Sequence, residues 1–259
     1  MRSDYTDVFR SPVAVAKYQD QVYAPDSYAS AINRRQHHYL RVLVRRSFLV
    51  RRPVQHDFAC GTGRAVRILH GLVRAAHGYD TSPAMLAKAA EVGAHATLHH
   101  VAADGPVPEP ADCAGPAIVT LFRLLLNVDG AVRDRAIAFA ARVLPHWESG
   151  LLVVENHGNR SSLRHLRHRR RTGQPWFAEL SHEEVAALLT RHGFQIVQRR
   201  GFAMVTQGWY GRRWLRPLAQ VLDGAAGRIP ALSRYAVNVL YVARRTGPGA
   251  AAEQPAAGR

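Results

Sequence analysis

Lysine is nearly missing from this chain: Lys17 and Lys88 are the only two in 259 residues. Neither stands in a G-x-x-x-x-G-K-[ST] setting, which excludes the phosphate-binding loop of nucleotide hydrolases. Cysteine is equally scarce. Cys60 and Cys113 lie far apart in unrelated surroundings, so no disulfide framework is written into the sequence. No stretch approaches the roughly 20 uninterrupted apolar residues of a membrane span. Residues 1–10 are polar and lack the apolar core of a secretory signal, so the expectation is a reduced, cytoplasmic protein. Acids are outnumbered as well: 19 Asp and Glu face 35 Lys and Arg, giving a formal charge of +16 and a pI near 11.0.

Arginine therefore supplies nearly all of the positive charge. It is densest at Arg45-Arg46, Arg51-Arg52, Arg169-Arg170-Arg171 and Arg199-Arg200. Such a balance attracts polyanions and membrane surfaces. Three readings stay open: a solvated surface of the composition that GC-rich coding leaves, an acidic substrate or carrier, and nucleic acid. With 47% hydrophobic residues the chain can bury one substantial core, as a single α/β domain would.

What is present is a ligand-binding corner. Val54-Gln55-His56 reads as strand, Asp57-Phe58-Ala59-Cys60-Gly61-Thr62-Gly63-Arg64 as a glycine-containing turn, and Ala65-Val66-Arg67-Ile68-Leu69 as helix. Glycine lets the backbone turn sharply and admits a ligand close to the main chain, beside the open N–H groups of a helix start. A second apolar run ends in Asp80, 17 residues after Gly63. A carboxylate at that strand tip is placed to grip two ribose hydroxyls. Dinucleotide binders carry G-x-G-x-x-G, whose last glycine packs helix on strand beneath a pyrophosphate. Here Val66 takes that position, and a nucleoside ligand without pyrophosphate fits better.

These residues resemble the class I S-adenosylmethionine-dependent methyltransferases. Asp57 to Gly63 is similar to the first motif of that family, acidic-x-G-x-G-x-G, in the variant with alanine at the first glycine. Tyr79-Asp80-Thr81-Ser82-Pro83-Ala84-Met85-Leu86 is similar to its second motif, D-x-S-x-x-M-L. Ala103-Asp104-Gly105-Pro106-Val107-Pro108 resembles the adenine-contacting G-D-A-x-x-L-P segment, with the order of small residue and acid only partly kept. The resemblance implies a doubly wound, seven-stranded, mostly parallel sheet with an antiparallel last strand. It implies S-adenosylmethionine as cosubstrate and no metal.

The resemblance also implies a set of cofactor contacts. Backbone at Ala59, Gly61 and Gly63 would border the methionine part, with Asp57 supporting the loop and amino group. Asp80 would hold the ribose hydroxyls, Asp104 would approach the adenine amino group with Gly105 beside it, and Cys60, Thr62, Thr81 and Met85 complete the set of cofactor contacts.

Three segments follow from the pattern: an N-terminal helical cap over 1–50, a methyltransferase domain over 51–245, and a Gly/Pro/Ala-rich tail over 246–259. The cap carries Tyr18, Tyr23 and Tyr28 at five-residue intervals, and over 32–50 apolar residues at helical intervals among arginines. Strands are expected near 54–59, 73–79, 96–102, 116–121 and 151–156, with helices near 64–71, 83–92 and 131–144. Ala117-Ile118-Val119-Thr120-Leu121 and Leu151-Leu152-Val153-Val154 have the continuous apolar character of strands covered on both faces. Ser181-His182-Glu183-Glu184 is a capping-box start for a helix over 181–192, followed by strand over 194–200 and a closing strand over 236–243. Residues 202–235 interrupt the alternation with Trp209, Tyr210, Trp214 and Pro217, on the side where the family shapes its acceptor pocket.

Methyl transfer asks the protein chiefly to align an acceptor and exclude water, and an oxygen acceptor usually also needs a base. Candidates come after the fourth and fifth strands. Arg123 and Asn127 interrupt an apolar run and would orient acceptor or cofactor carboxylate. His157 follows Glu155-Asn156 at a strand end and would serve as base or as an acceptor-orienting group. For each, an ordinary structural or solvent-facing role is the competing explanation. His165 and His168 have metal-compatible spacing but sit among arginines, with no acid seen nearby in sequence, and His37-His38 and His99-His100 lack zinc ligand sets.

The leading function is a methyltransferase acting on an oxygen or nitrogen of a small molecule, natural-product or sugar-like. A nucleic-acid methyltransferase is the alternative, supported by charge alone. The chain lacks a [DNS]-PP-[FYW] loop and a Pro-Cys nucleophile, since Cys60 follows Ala59 and Cys113 follows Asp112. A further alternative is action on a lipid-like acceptor at a membrane surface, prompted by the aromatic and basic run Gly208 to Arg216.

Overall fold

The computed structural model describes residues 28–174, 179–205 and 207–246. Tyr18, Tyr23 and the tail beyond Thr246 lie outside the described residues. Seven strands form one sheet: β1 (Val54–Phe58), β2 (Ala75–Asp80), β3 (Thr97–His100), β4 (Ala117–Leu121), β5 (Gly150–Asn156), β6 (Phe194–Phe202) and β7 (Asn238–Arg245). Their spatial order is β3-β2-β1-β4-β5-β7-β6. Every pairing through β5 is parallel, while β7 runs antiparallel between β5 and β6. The expected architecture is therefore present. Its strand order turns back at β1 and β4, the switch point where open α/β sheets bind ligands.

The helices are α1 (Tyr28–Ser47), α2 (Arg64–Leu69), α3 (Pro83–Glu91), α4 (Gly130–Val143), α5 (Leu163–Thr172) and α6 (His182–Arg191). Three more, α7 (Gln207–Gly211), α8 (Arg216–Ala226) and α9 (Pro230–Ser233), fill the connection between β6 and β7. Every residue of β1, β4 and β5 is buried, because helices cover both faces. Alternation along the strands divides the core. Val119, Leu152 and Val154 face α4 and α6, packing on Phe139, Ala140 and Leu188. Ile118, Leu151 and Val153 face the other way, against Leu40 and Val44 of α1 and Ile68 of α2. Gly150 opens β5 where a Cβ would stand 1.8 Å from the Ala117 carbonyl oxygen, so only glycine admits this close approach to β4.

Local signals explain the helix starts. The Ser82 hydroxyl accepts from Met85 N at 3.2 Å, and Asp129 accepts from Val132 N at 2.9 Å. Ser181 and Glu184 form the expected reciprocal box, with Glu184 N donating to Ser181 Oγ and Ser181 N to Glu184 Oε2. Boundaries moved by a few residues: β2 extends through Asp80, β3 is shorter than expected, and β6 continues to Phe202.

The α7–α8 segment is fastened by one buried acid. Asp223 accepts from the backbone amides of Met204 at 2.7 Å and Val205 at 2.8 Å, from Tyr210 Oη at 2.5 Å and from Arg35 Nη1 at 3.2 Å. Removing a partner from a buried, bonded ion pair costs about 3–5 kcal/mol. We expect Asp223→Ala to destabilise the protein by that order in urea unfolding. Loss of hydrogen-exchange protection should be concentrated at the amides of Met204 and Val205; uniform loss across the sheet would contradict this anchoring role.

Candidate active site

The corner after β1 is built by backbone conformation. Ala59, Gly61 and Gly63 all adopt positive φ, at 57°, 53° and 74°. Two of the three are glycines, for which this conformation is inexpensive; Ala59 accepts a cost of about 1 kcal/mol. Gly63 is further constrained, since a Cβ there would stand 2.6 Å from Ala94 Cβ. Gly63 N donates to Cys60 O at 2.9 Å, and Cys60 N donates to Tyr79 O at 3.0 Å, tying the loop to β2. Cys60 is buried, and its sulfur lies where a Cβ on Gly78 would come within 2.9 Å. Above Gly61 the space is open: a Cβ there would meet only Met85 Sδ, at 4.0 Å.

A cleft of about 180 Å³ opens over this loop. It is lined by Asp57, residues 59–62, Arg64, Ala65, Asp80 to Ser82, Met85, and Phe122 to Leu124 with Asn127 and Val128. Most of the predicted cofactor residues thus converge, together with Arg123 and Asn127. Gly63 supports the loop from below without lining the cleft. A larger groove of about 790 Å³ runs between α1 and β6, but it holds none of the predicted residues.

Asp80 sits at the tip of β2, 9% exposed. Its carboxylate accepts from Gly61 N at 2.7 Å and from Ser82 N at 2.9 Å, one bond to each oxygen. A carboxylate offers about four lone-pair sites, so acceptor capacity remains for a hydroxyl from the cleft. Burial pushes its pKa up, and the Ser82, Gly61 and Thr81 amides oppose that rise. Asp57 is buried beneath the loop and accepts from Thr120 Oγ1 at 2.6 Å. Burial raises its pKa to about 7, with the Thr120 bond and Arg64 pulling the other way. A cationic ammonium would favour its ionised form.

Behind the cleft lies a polar network that the motifs did not reveal. Glu155, in the otherwise apolar β5, accepts from Arg64 Nη2 at 2.6 Å, Gln36 Nε2 at 2.8 Å, Asn238 Nδ2 at 2.8 Å and Arg123 N at 3.1 Å. Burial alone would raise its pKa; Arg64, then Arg123 and His157, together with the Gln36 bond outweigh burial and hold it down at about 2. Arg64 also donates to Gln36 Oε1 and lies over the Phe122 ring, 5.0 Å from its centroid. Arg123 takes a left-handed φ of 54°, and its carbonyl accepts from Asn127 Nδ2 at 2.6 Å, so these two cleft residues are fixed as a pair. A carboxylate within a buried apolar strand was the available signal. Gln36 and Asn238 carried none, because they meet Glu155 only in the folded chain.

His157 is placed beside Glu155 and Arg123 but does not line the cleft. Its Nδ1 is buried without a hydrogen-bond partner. Burial lowers its pKa to about 4, with Arg123 and Arg64 adding to the fall and Glu155 opposing it, so the imidazole is neutral near pH 7. Asp104 is exposed and, like Gly105, stands outside the cleft lining. The segment that carries them is held by Arg135, which donates to Ala102 O at 2.8 Å and Pro106 O at 3.0 Å. Contrary to the expectation from sequence, an acid does stand by His165. Glu179 Oε2 lies 3.5 Å from His165 Nδ1, brought there by chain return, while Arg160 and Arg169 pair with the same carboxylate. Among the described residues no group of three His, Cys, Asp or Glu is placed to hold a metal ion.

No protein-family model and no curated protein matches the chain in sequence. Solved structures do match in shape. The magnesium protoporphyrin IX methyltransferase ChlM of Synechocystis PCC 6803, with bound SAH, is 14% identical, with 93% of this chain and 97% of that one covered at a TM-score of 0.57. A possible histamine N-methyltransferase of Thermotoga maritima is 15% identical, covering 93% and 99% at 0.55. The [4+2]-cyclase SpnF is 19% identical, covering 85% and 83% at 0.52. The chain has the class I S-adenosylmethionine-dependent methyltransferase fold.

The two shifted acids make a pH prediction. Glu155 is depressed, so its contribution is complete above about pH 4.5, its ordinary value, and is lost as pH falls toward 2. Asp57 is raised, so stability present below about pH 3.8 is lost as pH rises through about 7. Histidines buried neutral, His56 and His157 at about 4, act in the opposite sense over the same range. The Asp57 contribution is therefore read as a difference: the melting temperature of Asp57→Asn relative to the parent should rise between pH 5 and pH 8 in a calorimetric series, and a difference that does not change with pH would remove Asp57 as its source.

Proposed function

We propose that this chain is a methyltransferase that moves a methyl group from S-adenosylmethionine to an oxygen or nitrogen of a small molecule, natural-product or sugar-like in kind. The observation that carries the reading is the Asp80 carboxylate, bonded to the corner loop and lining the cleft beside it. The residues fit the cosubstrate: free acceptor capacity at Asp80 for a ribose, an ionisable Asp57 under the loop for an ammonium, and Met85 with Leu124 as apolar walls. Val66 supports the exclusion of dinucleotides, since its side chain is buried against Ala89 and Ala94 where a close-packed glycine would be needed.

S-adenosylmethionine supplies an activated methyl group on a sulfonium. The protein's part is to hold both reactants in line and keep water out. Backbone 59–63 would border the methionine portion and Thr81 the ribose side. Asp104 and Gly105 keep their adenine assignment as residues three and four positions past Val101, whose amide bonds to Asp80 O. Arg123 and Asn127 are assigned to the acceptor or the cofactor carboxylate. His157 is assigned the orienting role; a neutral imidazole with so low a basicity is a poor proton acceptor. Free Cys60 and Cys113 support a cytoplasmic setting, and no described helix is long and apolar enough to cross a membrane.

Isothermal calorimetry with S-adenosylmethionine, S-adenosylhomocysteine and NAD tests the reading. Both sulfur ligands should bind and NAD should not. Asp80→Ala should weaken binding by roughly 100-fold, the worth of two hydrogen bonds to a charged acceptor. Preference for NAD, or unchanged affinity in the variant, would refute the assignment. His157→Ala should keep cofactor affinity and lower turnover of a labelled-methyl acceptor. Because the same fold carries a [4+2]-cyclase, cofactor binding without any methyl transfer would leave the corner correct and the reaction wrong.

A further inference from the structure

Helix α8 is inside out. Its inward positions carry Ala219 and the bonded Asp223, whereas Leu218, Val221, Leu222 and Ala225 stand at i, i+3, i+4 and i+7 on the exposed side. Val221 is 68% exposed, and Trp214, in the turn before α8, is 75% exposed. Ile229 and Leu232, just beyond the helix, extend the same exposed apolar character. A stripe at this spacing normally faces a core. Here the core-facing work is done by a carboxylate network, and the apolar face is left to the outside. A contiguous exposed face of this kind marks an interaction surface.

The charges around it say what it meets. Residues 207–237 contain Arg212, Arg213, Arg216, Arg228 and Arg234, and their one acid is the buried Asp223. Helix α5 adjoins this region, with Leu163 N donating to Tyr235 O at 3.1 Å, and adds exposed Arg167, Arg170 and Arg171. A two-fold contact between copies would set this arginine-rich rim against itself, and like charges so placed repel. An anionic bilayer answers both features. Aliphatic side chains enter the acyl boundary, tryptophan sits at the interface, and arginines reach the headgroups.

We propose that the outer face of α8, with Trp214 and the neighbouring arginines, docks the protein on an anionic lipid surface. The excursion that carries it lies between the end of β6 and the start of β7, where Asn238 bonds to Glu155 behind the cleft. Docking through α8 would thus bring the cleft end of the sheet toward the membrane. This inference is independent of the methyl-transfer reading.

Co-sedimentation of the full chain with vesicles tests it. Phosphatidylcholine vesicles containing about 30% phosphatidylglycerol should retain the protein at about 0.1 M salt, and pure phosphatidylcholine should not. Val221→Asp should weaken retention by at least roughly tenfold, since a buried aliphatic chain is replaced by a charge of the wrong sign. Its melting temperature should match the parent, because Val221 is exposed. A second variant, Leu218→Ser, should weaken retention in the same direction. Absence of binding to anionic vesicles would overturn the proposal. So would retention unchanged in both variants, which would mean charge alone acts. Light scattering that shows a dimer split by Val221→Asp would assign the face to a second copy instead.

Discussion

One buried carboxylate organises the active end of this protein. Glu155 reaches four partners drawn from α1, α2, the β4 loop and β7. An ion there is tolerable only because every oxygen is engaged and a guanidinium stands against it. The arrangement makes separate pieces of chain depend on each other. Arg64 is the first residue of the helix that follows the corner, so the side chain that neutralises Glu155 also ties the start of that helix to β5. Arg123 is held through its own amide, and from that point its left-handed turn directs the chain toward Asn127. Cofactor corner and acceptor loop are two ends of one hydrogen-bonded unit.

The corner itself relies on close backbone approach more than on helix electrostatics. Helix α2 is only six residues long and has no side-chain cap, so its dipole is a small part of the design. The loop amide of Gly61 is directed to Asp80 instead of the open cleft. The βα loop and the second strand thereby specify one another, and ribose recognition is pre-organised before any ligand arrives. Asp57 supplies a complementary device, a buried acid kept near its protonation midpoint at neutral pH, so that its charge follows what binds above it.

Much of this was legible in sequence because it rests on local rules. Glycine at positive φ, an acid at a strand tip and apolar strands covered on both faces each leave a mark within about ten residues. Hence the sheet, the corner, and the placing of Asp57, Gly61, Asp80 and Met85 around one cleft were readable. What escaped depends on contacts between distant segments. Gln36 and Asn238 meet at a carboxylate that lies 119 positions from the first of them. Glu179 joins His165 only because the chain doubles back after α5. The excursion over 202–235 hid three helices, since α8 keeps its apolar stripe outward and its anchor is a single acid. Asp104 belongs to a familiar local string, and its exposed side chain stands outside the cleft lining.

The contact between Cys60 and Gly78 carries a consequence for how such corners diversify. The thiol occupies volume that β2 vacates by having no side chain at 78, so the two positions share one allotment of space across neighbouring strands. Bulk can sit on either side of that seam but not on both. Among sequences descended from a common ancestor, a larger residue at the second position should therefore appear with glycine at the first, and the pair should change size in opposite directions.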